Sequence, residues 1–199
     1  MIKFRPKLLI NLISDFNIFN ILLKTTFTHP LSKGRRIKSI LRVIWIRYLI
    51  IRFNKKISFY WVNNYKVETY KEDHTIIGNL YWGLMEYESM SFILHYLKST
   101  DHFFDIGANH GSYTILASAV KKGFTYAFEP DKKSFKELIR NVKSIKIEKN
   151  TQLMNYGLGE KEEKVYLSNN YGPMNHILKD KKANNASEIN IFPLDNKFK

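Results

Sequence analysis

His102-Phe103-Phe104-Asp105-Ile106-Gly107-Ala108-Asn109-His110-Gly111-Ser112-Tyr113, and then Phe124-Thr125-Tyr126-Ala127-Phe128-Glu129-Pro130-Asp131, decide how this chain folds. The first run is a short apolar strand that ends in an acid and breaks into a glycine loop. Residues 112–121 follow with Tyr113, Leu116, Ala117 and Val120 on one helical stripe. Phe124–Phe128 is apolar again and ends in a second acid, Glu129. Strand, loop, helix and strand within about thirty residues form a βαβ unit, and such units build parallel sheets with helices on their faces.

The pattern continues downstream. Residues 132–144 place Phe135, Leu138, Ile139 and Val142 at i, i+3, i+4 and i+7, the spacing of an amphipathic helix, with Asp131 placed to cap it. Residues 151–156 read as a third strand, and 165–167 as a short fourth one after the polar turn Gly159-Glu160-Lys161. The polar stretch 179–185 reads as a loop. Upstream, residues 86–98 read as a helix carrying Phe92, Ile93, Tyr96 and Leu97. Residues 57–62 and 66–70 read as a strand pair around Asn63-Asn64. Residues 7–24 and 37–52 read as helices separated by His29-Pro30 and Lys33-Gly34. The expected architecture is α/β and Rossmann-like, a mainly parallel sheet with flanking helices over residues 77–199. A basic, mostly helical extension over residues 1–76 precedes it.

Charge divides the chain along similar lines. Of the formal net charge of +14, residues 1–60 hold 13 Lys or Arg against the single acid Asp15, whereas residues 61–199 hold 19 against 17 acids. A cation-rich segment favours anionic lipid or nucleic acid through a salt-sensitive attraction. Against a one-sided membrane helix, Arg42, Arg47 and Arg52 recur every fifth residue and so spread around the axis at about 140° steps. Packing of that helix against its own protein is the first expectation, and weak contact of residues 1–60 with an anionic membrane surface the second. The chain has no cysteine, which excludes disulfides and thiolate-bound metals. No secretory leader is expected, because Asn11, Asp15, Asn17 and Asn20 break the first apolar run. Nor is a membrane span, because Arg42, Arg47 and Arg52 interrupt the longest one. The expected location is cytoplasmic, with peripheral contact at the inner membrane as the alternative.

In open α/β sheets ligands bind at the carboxyl ends of the strands, where both acids fall. Gly107 and Gly111 permit a tight turn and close backbone approach. The glycines alone are equally well explained as a strand–helix turn, and Asn109 as a loop cap. The whole set points further. An acid ending the second strand can accept from two vicinal ribose hydroxyls, and Asp105 suits a cationic group. A dinucleotide loop would read G-x-G-x-x-G beneath a pyrophosphate, whereas this one reads G-x-N-x-G beside an acid that would repel phosphate. That tilts the choice to S-adenosyl-L-methionine, which has a ribose, an adenine and an ammonium but no phosphate.

These residues also resemble a known family. Phe103 to Thr114 and Ala127-Phe128-Glu129-Pro130-Asp131 are similar to the FkbM methyltransferases, and so are the helix from Phe135 to Val142 and Asn155-Tyr156-Gly157-Leu158-Gly159. Gly83 to Glu88 and Asn175-His176 look like one bacterial subgroup, and the resemblance covers roughly Ile77 to Asp195. It implies a class I methyltransferase fold and methyl transfer from S-adenosylmethionine to a hydroxyl of a sugar, glycan or other small acceptor, as in polysaccharide biosynthesis. It also implies cofactor contacts from Asp105, Gly107, Ala108, Asn109, Gly111, Glu129 and Asn155. Members of that family continue beyond the equivalent of Leu194-Asp195 into a further strand bearing I-D-x-E-G. The expectation is therefore a fold incomplete at its C-terminus, a fragment or decayed product whose activity is open.

The catalytic residue stays unassigned. His110, His176, Glu86 and Glu88 are the candidate bases. No ligand spacing indicates a metal, and Trp45, Trp61 and Trp82 form no base-stacking platform. No nucleic-acid partner is expected. Two other readings stay open: a nucleic-acid methyltransferase, prompted by the basic extension, and a non-catalytic fragment that binds a partner or a membrane surface.

Overall fold

The computed structural model describes residues 19–53, 57–69, 74–168, 176–178 and 186–196. Much of the predicted helix 7–24, the end of the strand 66–70 and the loop 179–185 lie outside them. Residues 19–28 are helical (α1), and Arg36–Phe53 forms α2. The hairpin expected around Asn63-Asn64 is present. β1 (Ile57–Tyr60) pairs antiparallel with β2 (Lys66–Thr69), and both turn asparagines have positive φ.

The central sheet is the parallel one. β3 (His102–Ile106), β4 (Phe124–Phe128) and β5 (Thr151–Met154) lie in that order. His102 faces Phe124 and Ile106 faces Phe128, while Phe128 also faces Met154. The crossovers are α5 (an α-turn at Ser112–Thr114 that runs on through Ile115–Val120) and α6 (Lys132–Ile145). One core joins them, with Ile115, Leu116 and Ala119 of α5, Ala127 of β4, and Leu138, Val142 and Ile145 of α6. Each large aliphatic buried this way contributes about 1.5–3 kcal/mol. Trp61 and Val67 of the hairpin region belong to the same core. So does Met90 of α4 (Tyr87–Tyr96).

Four features differ from the expected pattern. α5 is π-helical after Thr114. Its closing bond runs from Lys121 N to Leu116 O, five residues back, so the buried stripe is Ile115-Leu116-Ala117-Ser118-Ala119 rather than one of strict α spacing. Helix α3 (His74–Trp82) was not anticipated. It runs across the boundary expected between residues 76 and 77. The third strand stops at Met154. The fourth expected strand, β7 (Glu163–Ser168), does not extend the parallel sheet. It joins a second sheet with β6 (Gly157–Leu158), β8 (Ile177–Leu178) and β9 (Ala186–Phe192), in the order β6-β9-β7-β8. There β7 is antiparallel to both β8 and β9.

The start of α6 gives a simple test. Asp131 is extended, and its Oδ2 accepts from Ser134 N at 2.7 Å, satisfying one of the orphan amides of the first turn. Asp131→Ala should therefore cost about 1 kcal/mol in denaturant unfolding. An unchanged midpoint would remove the cap from the account.

Candidate functional site

β3 and β4 end side by side, and the loop between β3 and α5 folds over their tips. Gly107 N and Ala108 N both donate to Phe128 O, each at 2.9 Å. The loop needs three left-handed residues to do this: Gly107 at φ +80°, Asn109 at +49° and Gly111 at +93°. A Cβ on Gly111 would lie 2.7 Å from Leu138 Cδ1, so a larger residue there would displace that side chain of α6 and be strained by the positive φ. A Cβ on Gly107 would have no atom within 4 Å, so open space lies above this backbone.

The two acids sit on either side of the loop, and both are only 6% exposed. Glu129 follows β4. Its Oε2 accepts from Asn109 N and its Oε1 from Asp131 N, both at 2.8 Å. Burial pushes its carboxyl above the ordinary range, against the pull of those two amides and of the nearby His110 ring. Each oxygen of a carboxylate holds two lone pairs, so each can accept one more donor. Asn155 braces this acid from behind, its Nδ2 donating to Glu129 O at 2.8 Å and Pro130 O at 3.3 Å.

Asp105 is the penultimate residue of β3, and its Oδ2 accepts from Thr114 Oγ1 at 2.5 Å. Desolvation pushes its carboxyl up to about 6, and the Thr114 hydrogen bonds offset only part of that. Sequence reasoning missed Thr114. It is fully buried on the first turn of α5, and its place in the quoted motif was the available signal. Asn109 Oδ1 is buried and has no hydrogen-bond partner among the described residues.

A cleft of about 570 Å³ opens beside Asp105. Glu88 and Tyr113 add polar groups to it, and Phe92, Phe104 and Ile106 wall it. Glu129 and Asn109 do not line it, so the two acids address different sides of the loop. The four candidate bases separate in the same way. Glu88 lines the cleft. Glu86 accepts from Tyr113 Oη at 2.5 Å. Burial first, and then Glu86, raise the Tyr113 hydroxyl, which therefore acts as a donor there. His110 lies near Glu129, with its carbonyl held by Asn141 Nδ2 at 2.9 Å. His176 belongs to the second sheet, where its N–H donates to Ser168 Oγ at 2.9 Å.

No protein-family model matches the chain, and no curated protein matches it. Among solved structures it is similar to P. horikoshii TYW2 in complex with MeSAdo, at 15% identity and a TM-score of 0.40, over 52% of this chain and 37% of that one. It is similar to an rRNA methylase from Streptococcus thermophilus at 22% identity and a TM-score of 0.33, over 36% of this chain and 38% of that one. It is similar to a protein-L-isoaspartate O-methyltransferase at 16% identity and a TM-score of 0.32, over 68% and 41%. In each case the matched span is well under two thirds of the solved chain.

Proposed function

We propose that this chain is the cofactor-binding part of an S-adenosylmethionine-dependent O-methyltransferase of the FkbM type, acting on a hydroxyl of a sugar, glycan or other small acceptor. One observation carries the reading: two buried acids flank a left-handed glycine loop at the carboxyl ends of adjacent parallel strands.

The residues fit that cofactor. Glu129 has acceptor capacity left for two vicinal ribose hydroxyls. Asp105 is a buried acid beside a cleft and matches an ammonium. The unmatched Asn109 Oδ1 offers one more acceptor, and the open space above Gly107 leaves room for a ligand against the backbone. Among the described residues, no Lys or Arg is among the groups that act on either acid, so neither has a built partner for a phosphate. When bound, the cofactor supplies a methyl group on a sulfonium, already activated for displacement.

What remains for the protein is to hold, orient and dry the reacting groups. Phe92, Phe104 and Ile106 give the cleft apolar walls that a bound ligand would cover. Glu88, the candidate base that lines it, is the group to accept a hydroxyl proton. Positioning of this kind can lower a barrier by about 7–11 kcal/mol.

Calorimetric titration of S-adenosylmethionine into the purified chain tests the reading. The expected result is binding in the micromolar range, with a rise in Tm that grows with ligand concentration. A chain that melts cooperatively yet shows neither heat nor a Tm shift overturns the assignment.

A further inference from the structure

The basic N-terminal part carries a surface that methyl transfer does not use. Helix α2 has two apolar faces. Val43 and Ile46 are buried in a small core with Ile77, Leu80 and Tyr81 of α3. This is the packing against its own protein that the spread of arginines suggested. The other face is exposed among the described residues. Ile37, Leu41, Ile44, Trp45 and Tyr48 are exposed, Ile37 at 76%, Trp45 at 61% and Leu41 at 60%. Their spacing puts all five within an arc of about 100°, a continuous stripe along three turns. Trp45 and Tyr48 stack at 5.8 Å. Exposed apolar surface of this extent marks an interface.

The charges around the stripe select the partner. Residues 19–53 contain eight Lys or Arg and no acid. By helical rotation Lys38 lies about 20° and Arg42 about 60° from one edge of the stripe, while Arg47 and Arg36 lie about 60° and about 80° beyond the other, toward the packed face, where Arg47 meets the Tyr81 hydroxyl. Arg36 also lies over the exposed Phe27 ring at 4.4 Å, which extends the surface onto α1. An apolar stripe with aromatic rings, on a segment whose residues 19–53 carry cations and no acid, matches the headgroup layer of an anionic bilayer. There Trp and Tyr settle at the interface and long cations reach up to phosphate. No helix among the described residues is long and apolar enough to cross a membrane, so the geometry is that of a helix lying in the surface plane.

We propose that α2 seats its stripe of Ile37, Leu41, Ile44, Trp45 and Tyr48 in the surface of a membrane containing anionic lipid, which docks the chain there. This rests on α1 and α2 and is independent of the methyl-transfer reading.

The test is flotation of the full chain with vesicles of equal parts phosphatidylcholine and phosphatidylglycerol, beside vesicles of phosphatidylcholine alone. The chain should float with the anionic vesicles, and less so as salt rises. The double substitution Leu41→Ser and Trp45→Ser should weaken binding about ten-fold or more. Both side chains are exposed, so the thermal melt should stay where it was. Three results overturn the proposal. One is no flotation, or flotation that the double substitution leaves intact. Another is a dimer in light scattering that this substitution converts to a monomer, because a second copy then covers the stripe. The third is tighter binding to RNA than to the anionic vesicles.

Discussion

Glu129→Gln should weaken S-adenosylmethionine binding about a hundred-fold or more in calorimetric titration, while moving the melting temperature little. The carboxylate already accepts from Asn109 N and Asp131 N, one on each oxygen. Two vicinal ribose hydroxyls would use the remaining lone pairs, and a hydrogen bond to a charged acceptor contributes about 1.5–3 kcal/mol. Glutamine keeps one oxygen. It therefore loses one ribose acceptor, weakens the other by removing the charge, and turns an amide N–H toward a backbone N–H. Loss of about 3 kcal/mol of binding is a factor of more than a hundred. The fold suffers less, because removing a buried charge offsets the one amide left without an acceptor. Alanine would be a poorer probe. It would leave both amides unmatched at about 1–3 kcal/mol each and loosen the loop itself. Unchanged affinity in Glu129→Gln would remove the ribose contact from this acid and leave it only the task of pinning the loop.

What the sequence made legible was local. β3 and β4 fall where their apolar runs fall, because each ends in a residue that terminates a strand, Gly107 after one and Pro130 shortly after the other. α6 was readable from its apolar spacing and its cap. α3 was not read from the sequence, and it carries Gly78 in its interior, a residue that weakens a helical pattern. The glycine has a packing reason, since a Cβ there would lie 2.3 Å from Met85 Sδ. The π-turns of α5 leave no signature in composition, since they depend on which carbonyl Lys121 N finds. The second sheet is non-local, with β7 and β9 paired across a stretch that has no pattern of its own.

The site divides in the same manner. Asp105, the glycines and Glu129 were candidates from spacing alone, and the structure brings them together around one loop. Their actual tethers could not be read from spacing, because Asn109 reaches Glu129 across twenty residues and Asn155 braces the acid across twenty-six. Asn155, which the family resemblance placed at the cofactor, donates to the loop carbonyls in this structure. Its effect on binding would run through the position of Glu129.

Asp105→Asn should stabilise the ligand-free protein at neutral pH and weaken ligand binding in the same sample. The sign follows from the carboxyl's shift from its ordinary 3.8 to about 6 in the fold. Between those values the folded chain holds more protons than the unfolded one, so stability falls as pH rises through the window and stays lower above it. At about 1.4 kcal/mol per pH unit the deficit approaches about 3 kcal/mol. Asparagine removes the buried charge but keeps an oxygen to accept from Thr114 Oγ1. Urea unfolding at pH 7.5 should then favour the variant by about 1–3 kcal/mol, and the gap should close near pH 4. Ligand affinity should move the other way, because an ammonium loses its counter-ion. In the unsubstituted chain that affinity should also decline below about pH 6, as Asp105 takes up its proton. An acid held for structural reasons gives the opposite pattern, with the variant less stable at neutral pH and binding unaffected. That outcome would make the Asp105–Thr114 contact a fold element and leave the cleft beside it without the charge that selects a cation.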